Sequence, residues 1–179
     1  MHITISGHLG SGKSTVAKMF AKRNNFIYFS TGTIMRRMAQ EMNIDVLELN
    51  KLSFSDPKYD KLIDDGVVEF AKQHKDENVI FDSRMAWHFV PGAVKIYLTV
   101  CEDAAAKRVF GDTLRGEVEK YKDAEHAKKS LYARLEEEKK RYKHIYGVDV
   151  SDLSNYQYVI DTSLLSVEEV CVEIEKKVI

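Results

Sequence analysis

The segment from Gly7 to Ser14 constrains this chain more than any other, because it fits the phosphate-loop pattern G-x-x-x-x-G-K-[ST]. A short alternating apolar segment precedes it and predicts a strand, and a helical pattern follows from Val16 to Arg23. Between a strand and a helix, such a loop wraps backward and aims backbone N–H groups at an anion. The sequence therefore predicts an α/β protein with an anion site at its first strand–helix turn.

Lys13 and Ser14 indicate which anion is bound. A lysine at this position reaches the outer phosphates of a nucleotide, and the serine hydroxyl holds a magnesium ion. We therefore expect the chain to bind a nucleoside triphosphate, with ATP as the phosphate donor and Mg²⁺ as the metal. A glycine-rich turn without a ligand is the alternative. The residues expected to bind the donor are Gly7, His8, Leu9, Gly10, Ser11, Gly12, Lys13, Ser14 and Thr15.

Composition excludes several other classes of partner. The chain has 179 residues and a net charge of −1, which argues against a nucleic acid or a membrane surface held by bulk electrostatics. Cys101 and Cys171 are far apart and suggest a reducing compartment without a zinc site. No apolar run approaches ~20 residues, and the predicted first strand leaves no room for a signal peptide. We expect a cytoplasmic monomer whose partners are small-molecule nucleotides.

Apolar runs rich in β-formers alternate with helical patterns along the chain. This alternation predicts a three-layer α/β/α fold with about five parallel strands and helices on both faces. The expected strands are Ile3–Ser6, Phe26–Ser30, Val79–Asp82, Val94–Val100 and Tyr156–Asp161.

Two segments are longer than a crossover requires, since a crossover with its helix needs only ~10–12 residues. The first spans about residues 31–76 and the second about residues 103–147. Both return near the carboxyl ends of the strands, where open α/β sheets bind their ligands. We expect one domain over residues 1–179, with these two segments covering the bound nucleotides.

Asp82 ends an apolar strand, which is the layout of a Walker-B element. A carboxylate at that point can hold Mg²⁺ directly or through water, so Ser14 and Asp82 are the expected metal ligands. An aspartate that merely caps a loop is the alternative.

Arginines follow two of the predicted strand ends. Arg84 comes two residues after Asp82, and Arg36 lies in the segment Ser30–Arg37. A guanidinium fork fits phosphate oxygens, so the pair predicts a site for a second phosphate group. Arg37 competes with Arg36 for this role. Thr31 is a natural helix N-cap, which explains its segment without any ligand.

Arg134 and Arg141 are seven residues apart and should share one helix face. Arg108 and Arg115 precede them. Arginines that close over a transferring phosphoryl group can contribute ~10³–10⁵ in rate. A solvated helix with i,i+4 ion pairs is the alternative for this charged run.

Together these residues resemble the nucleoside monophosphate kinases, specifically the short cytidylate kinase family of archaea and some bacteria. The phosphate loop, the segment Ser30–Arg36 and the segment Val79–Arg84 carry part of the match. The run from Arg134 to Asp161, with Lys140–Asp149 and Val159–Ser163 inside it, is the most specific part.

The resemblance implies a five-stranded core, an insertion that binds the monophosphate, and a lid. It implies that Arg36 and Arg84 hold the acceptor phosphate beside Thr31 and Gly32. Three further arginines are implied to come from the lid and to act in catalysis with Lys13, namely Arg115, Arg134 and Arg141.

The chain departs from the family at two points. The family usually has Glu-Gly-Arg where this chain has Asp82-Ser83-Arg84, and it often has an acid-Glu-Arg turn where this chain has Asp64-Asp65-Gly66. The expected activity is transfer of a phosphoryl group from ATP to a nucleoside monophosphate, most specifically CMP or dCMP. A kinase of a hydroxyl-bearing metabolite and a nucleotide-binding relative without turnover are the alternatives.

Overall fold

A computed structural model describes residues 1–44, 46–111 and 122–179. Within these residues, five strands form one sheet: β1 (His2–Gly7), β2 (Ile27–Ser30), β3 (Val79–Asp82), β4 (Val94–Thr99) and β5 (Tyr158–Asp161). The strands are all parallel and lie in the order β2-β3-β1-β4-β5. The five strands expected from the sequence are confirmed, and their ends differ by no more than two residues.

Helices connect the strands because a parallel pair needs a crossover. The described helices are α1 (Lys13–Asn24), α2 (Thr31–Glu41), α3 (Val46–Ser55), α4 (Lys58–Gln73), α5 (Ala86–Phe89), α6 (Glu102–Phe110), α7 (Ala124–Tyr146) and α8 (Val167–Val178). None of the described helices is both long and apolar enough to cross a membrane.

Neighbouring residues of β3 point to opposite faces of the sheet and pack into different cores. Ile80 packs with Phe20 of α1 and Ile174 of α8. Phe81 packs on the other face with Val67 of α4. Burying one such side chain contributes about 1.5–3 kcal/mol. The sheet is thus covered on both faces, which confirms the predicted three-layer α/β fold.

The strand register brings the ends of the central strands to one edge of the sheet. Gly7 pairs with Leu98, and Ser30 pairs with Asp82. The segment 31–76 leaves this edge as α2, α3 and α4, and the segment 103–147 includes most of α6 and all of α7. That the two segments act as a monophosphate-binding insertion and a lid within a single domain stays a prediction.

Candidate active site

The phosphate loop is held by its carbonyl groups and by two of its N–H groups, since the His8 N–H donates to the Leu98 carbonyl oxygen and the Ser11 N–H to the His8 carbonyl oxygen. The Thr162 hydroxyl donates to the Ser11 carbonyl oxygen at 3.1 Å. Gly10 has φ +80°, and a Cβ there would lie 2.8 Å from Ala105 atoms. Gly12 is the N-cap of α1 with φ 81°, and no described side chain caps that turn. The positive end of α1 therefore faces the loop, as an anion site requires.

Lys13 and Asp82 form an ion pair at the centre of this edge. The Lys13 Nζ donates to the Asp82 Oδ1 at 2.6 Å, and the carboxylate is 3% exposed. Burial alone raises the pKa of Asp82, but the Lys13 ammonium and the hydroxyls of Ser14 and Tyr28 outweigh it and hold this pKa below its ordinary value. Asp82 is thus an anion with Ser14 beside it, where the sequence predicts the metal ligands.

Two residues of β2 complete the surroundings of Asp82. The Tyr28 hydroxyl donates to Asp82 Oδ2 at 2.7 Å, and the Ser30 hydroxyl does so at 3.4 Å. Ser30, not Thr31, occupies the N-cap of α2, and its side chain makes no capping hydrogen bond. The alternative in which Thr31 only caps this helix is therefore wrong, because α2 begins one residue earlier than a Thr31 cap requires.

Arg84 lies in the crevice beside Lys13. Its Nη1 donates to Glu138 of α7, and its charge acts on Lys13. Arg134 also contacts Glu138, with its Nε 3.3 Å from Oε1. A small cavity between Arg84, Glu138, Gly7 and Leu9 joins this group to the phosphate loop. The structure thus brings two predicted arginines together through a carboxylate that the sequence analysis did not single out.

Arg36 and Arg37 differ in their surroundings, although both are exposed. Arg37 donates to Glu41 at 2.9 Å along the outside of α2. Arg36 donates to the Thr33 hydroxyl at 3.1 Å and acts electrostatically on Tyr28, which contacts Asp82. A Cβ on Gly32 would lie 3.7 Å from Arg36 Nη1. Arg36 is therefore the arginine on the crevice side of α2.

Arg141 contacts the first insertion. Its Nε lies 3.4 Å from Asp60 Oδ2 in α4, although neither atom has an aligned hydrogen bond within the described chain. The guanidinium also lies 5.0 Å from the ring centres of Phe54 and Tyr142. Arg141 therefore joins α7 to α3 and α4. Arg115, predicted to act with it, lies outside the described residues.

Asp64 is the second buried carboxyl of α4. It accepts a hydrogen bond from the Tyr146 hydroxyl of α7. Burial raises the pKa of Asp64 to about 7, and the charges of Asp60 and Asp65 add to this, while Tyr146 and Arg141 act against it. This carboxyl therefore titrates near neutral pH.

A groove of about 530 Å³ opens on the other side of the loop, next to α8. Thr15 and Gly12 line it together with Arg108. Arg108 donates to the Thr162 carbonyl oxygen at 2.6 Å and lies 3.5 Å from the Gly10 carbonyl oxygen. The groove adjoins the anion site and is large enough for the nucleoside of a donor.

The remaining predicted residues have structural surroundings. The His8 ring packs edge-on against Tyr97 at 5.5 Å between ring centres, and its Nδ1 lies 3.4 Å from the Val100 carbonyl oxygen. Ser83, where the family usually has glycine, accepts hydrogen bonds from the N–H groups of Met85 and Ala86 through its hydroxyl. The Ser83 side chain therefore stabilises the turn that contains Arg84.

The sequence analysis missed Glu138, Asp60 and Asp64. Each lies on the buried stripe of an amphipathic helix: Asp60 and Asp64 share it with Ile63 and Val67 in α4. A carboxyl on an apolar stripe costs free energy unless it has a partner, so this spacing is the signal that could have revealed Asp60 and Asp64.

Comparison with solved structures gives the fold class of the protein. The chain is similar to shikimate kinase from Bacteroides thetaiotaomicron, with a TM-score of 0.69 and 17% identity, covering 99% of this chain and 97% of that one. Shikimate kinase from Aquifex aeolicus gives a TM-score of 0.60 at 17% identity, covering 98% of this chain and 95% of that one. At this identity the likeness concerns the fold alone. The protein has the P-loop kinase fold.

Sequence comparison gives the family. The model of the cytidylate kinase-like family matches residues 2–164. Cytidylate kinase from Pyrobaculum arsenaticum is 39% identical over 169 residues, covering 93% of this chain and 86% of the relative. Cytidylate kinase from Methanocaldococcus jannaschii is 39% identical over 172 residues, covering 95% and 93%. The chain belongs to the cytidylate kinase-like family, which confirms the resemblance drawn from its motifs.

Proposed function

We propose that this protein transfers the γ-phosphoryl group of ATP to the phosphate of CMP or dCMP, giving ADP and the nucleoside diphosphate. The observation that carries the proposal is the convergence of Lys13, Asp82 and Arg84 at one edge of the sheet. Lys13 contacts the outer phosphates of the donor. Arg84, whose charge acts on Lys13, can bind the phosphate of the acceptor next to them. The choice of CMP or dCMP as the acceptor is supported by the relatives named cytidylate kinase.

The donor's phosphates are bound within residues 7–15 by N–H groups other than those of His8 and Ser11, which donate to carbonyl oxygens of the protein. The donor's nucleoside lies in the groove beside Thr15 and Arg108. Ser14 and Asp82 offer two hard oxygen atoms close to each other. This fits Mg²⁺, which proteins usually hold through one or two oxygens together with the substrate's phosphates. When bound, the ion neutralises charge on the outer phosphates. Lys13 exchanges its contact with Asp82 for the phosphates.

The acceptor phosphate is placed between Arg84 and Arg36, with Thr31 and Gly32 at the start of α2 beside it. It is already ionised at neutral pH, so the reaction needs alignment and charge stabilisation but no strong base. Arg134, Arg141 and the undescribed Arg115 are the candidates for neutralising the transferring group. Closure of the two helical segments would exclude water, which would otherwise hydrolyse ATP.

A hydroxyl acceptor fits less well. It would need a base, and the carboxylate in contact with Lys13 is Asp82. Because Lys13 and two hydroxyls hold the pKa of Asp82 below its ordinary value, it is a poor proton acceptor. This argues against a metabolite kinase even though the fold resembles shikimate kinases.

A coupled assay of ADP release tests the proposal. The acceptors are CMP, dCMP, UMP, AMP, GMP and shikimate, each with ATP and Mg²⁺. We expect the highest kcat/KM with CMP or dCMP and none with shikimate. ADP release that no acceptor stimulates would leave a nucleotide-binding relative without turnover. The Lys13→Ala variant is the blank for contaminating kinases.

A further inference from the structure

Glu138 is a buried carboxylate that two arginines of the site share. It lies in the middle of α7 and is 5% exposed. Its Oε1 accepts from Arg84 Nη1 and lies 3.3 Å from Arg134 Nε. A carboxylate offers arginine the same kind of charged oxygen acceptor as a phosphate does. Glu138 therefore occupies donors that an acceptor phosphate would use.

The carboxylate also lies beside the phosphate loop, next to the position where that phosphate is expected. Glu138 and Arg84 border the same cavity as Gly7 and Leu9, and with Glu138 in place this cavity is only about 10 Å³ and has no room for a phosphate. Both charges act on Lys13, with Arg84 lowering and Glu138 raising the pKa of its ammonium. A phosphate that binds Arg84 beside Lys13 must therefore displace Glu138 from at least one guanidinium or be repelled by it.

We propose that Glu138 is an internal substitute for the acceptor phosphate. It is a positioning residue that holds Arg84 and Arg134 toward the crevice in the free protein. When the acceptor phosphate binds the two arginines, it replaces Glu138 as their partner. The inference rests on the proposed function. A dianionic phosphate monoester outcompetes a single carboxylate for two arginines, whereas a monoanion does not. Glu138 thus reduces affinity for every anion and makes occupation of the site selective for the doubly charged acceptor.

Titration of inorganic phosphate into the nucleotide-free protein tests this directly. Glu138→Gln keeps the shape and a hydrogen-bond acceptor but removes the charge. We expect phosphate Kd to fall about three- to tenfold, because one charge-assisted contact no longer competes. Glu137→Gln is the matched control, since Glu137 is exposed on the same helix and the change in net charge is identical. Its phosphate Kd should equal that of the wild type.

A double-mutant cycle separates competition for the arginine from general repulsion. In the Arg84→Ala background, Glu138→Gln should tighten phosphate binding by a smaller factor, because only Arg134 is then released. A gain of undiminished size there would mean that Glu138 acts only through its charge. Unchanged or weaker phosphate binding in Glu138→Gln alone would overturn the proposal and leave a structural ion pair. If that variant does not fold, Glu138→Asp, one methylene shorter, should tighten phosphate binding by a smaller factor.

Steady-state kinetics supply a second readout. Glu138→Gln should lower the acceptor KM by a factor similar to the change in phosphate Kd, with the ATP KM little changed. A structural defect would raise the acceptor KM instead. The phosphate titration needs no turnover, so it decides the role of Glu138 even if the panel of acceptors shows no kinase activity. Conversely, if the wild type is an active kinase but Glu138→Gln has the wild-type phosphate Kd, only this inference is refuted and the proposed function stands.

Discussion

Lys13 and Asp82 neutralise each other in a crevice where water reaches neither freely, with side chains that are 17% and 3% exposed. Lys13→Ala removes the charge that stabilises the outer phosphates and also leaves Asp82 buried without its cation. We expect kcat to fall about 10²–10³-fold, the usual cost of losing one preorganised electrostatic group. Lys22→Ala, an exposed lysine in the last turn of α1, is the control. Comparable kcat values for the two variants would exclude Lys13 from the chemistry.

Arg84 and Arg36 are predicted to bind the acceptor, and Arg37 is not. Arg84→Ala and Arg36→Ala should each raise the acceptor KM about 10–100-fold, since a bidentate charge-assisted contact is lost. Arg37→Ala should change the acceptor KM by no more than about twofold, because an exposed ion pair such as Arg37–Glu41 contributes little free energy. Steady-state kinetics with varied CMP measure all three. The reverse order for Arg36 and Arg37 would exchange their roles.

Asp64 makes stability depend on pH. Its pKa of about 7 in the folded protein lies above its ordinary value of 3.8. The folded state therefore binds the proton more tightly, and this stabilisation, complete below pH 3.8, is lost as pH rises toward and through 7. In Asp64→Asn, the free energy of unfolding should depend less on pH over this range.

Urea unfolding at pH 5 and pH 7.5 measures this effect. The wild type should lose more stability between the two pH values than Asp64→Asn does. Asp65→Asn, at the exposed neighbour, should retain most of the wild-type pH dependence, because burial and not the Asp65 charge is the largest cause of the raised Asp64 pKa. Parallel changes in all three proteins would mean that Asp64 is already ionised at pH 5.

At the scale of elements, two glycines occupy opposite situations in helices. Gly66 lies inside α4, and a Cβ there would meet only Ile34 Cδ1 among the described atoms, at an ordinary 3.6 Å. Gly147 ends α7 with φ +71°. Gly66→Ala should stabilise the protein by about 0.5–1 kcal/mol, and Gly147→Ala should destabilise it by about 1 kcal/mol. Thermal unfolding of both variants checks the signs, and a loss at position 66 would contradict the helical placement.

The elements themselves were predictable because their signals are local. β3 was predicted as Val79–Asp82 and has those bounds. The identity of the inward-facing acid in α7 was not predictable. Glu136, Glu137 and Glu138 are consecutive, and which one is buried depends on the rotation of the helix against the sheet. Arg134 and Arg141 were placed on one helix face. The Arg134–Glu138 pair is an i,i+4 contact within α7, of the kind that the charged run predicted, whereas the partner of Arg141, Asp60, comes from tertiary packing.

At the scale of the whole molecule, α7 contacts both nucleotide regions. It reaches α4 through Arg141 and Tyr146, and it reaches the crevice through Glu138. If the two helical segments close over the substrates as predicted, binding should protect their amides. We expect hydrogen exchange in α4 and α7 to slow when CMP and a non-hydrolysable ATP analogue are both present. Exchange in the central strands β1 and β3 should change little. Equal protection everywhere would indicate global stabilisation without closure.

The contact between Gly10 and Ala105 has a mechanical consequence. Because residue 10 has no side chain, the loop backbone lies directly against Ala105 of α6, and a Cβ at position 10 would lie 2.9 Å from the Ala105 carbonyl oxygen. A helix pressed this closely on a loop cannot tilt without tilting the loop as well. The orientation of α6 and the conformation of the loop that binds the donor's phosphates are therefore coupled. A larger residue at position 10 requires a smaller one at position 105.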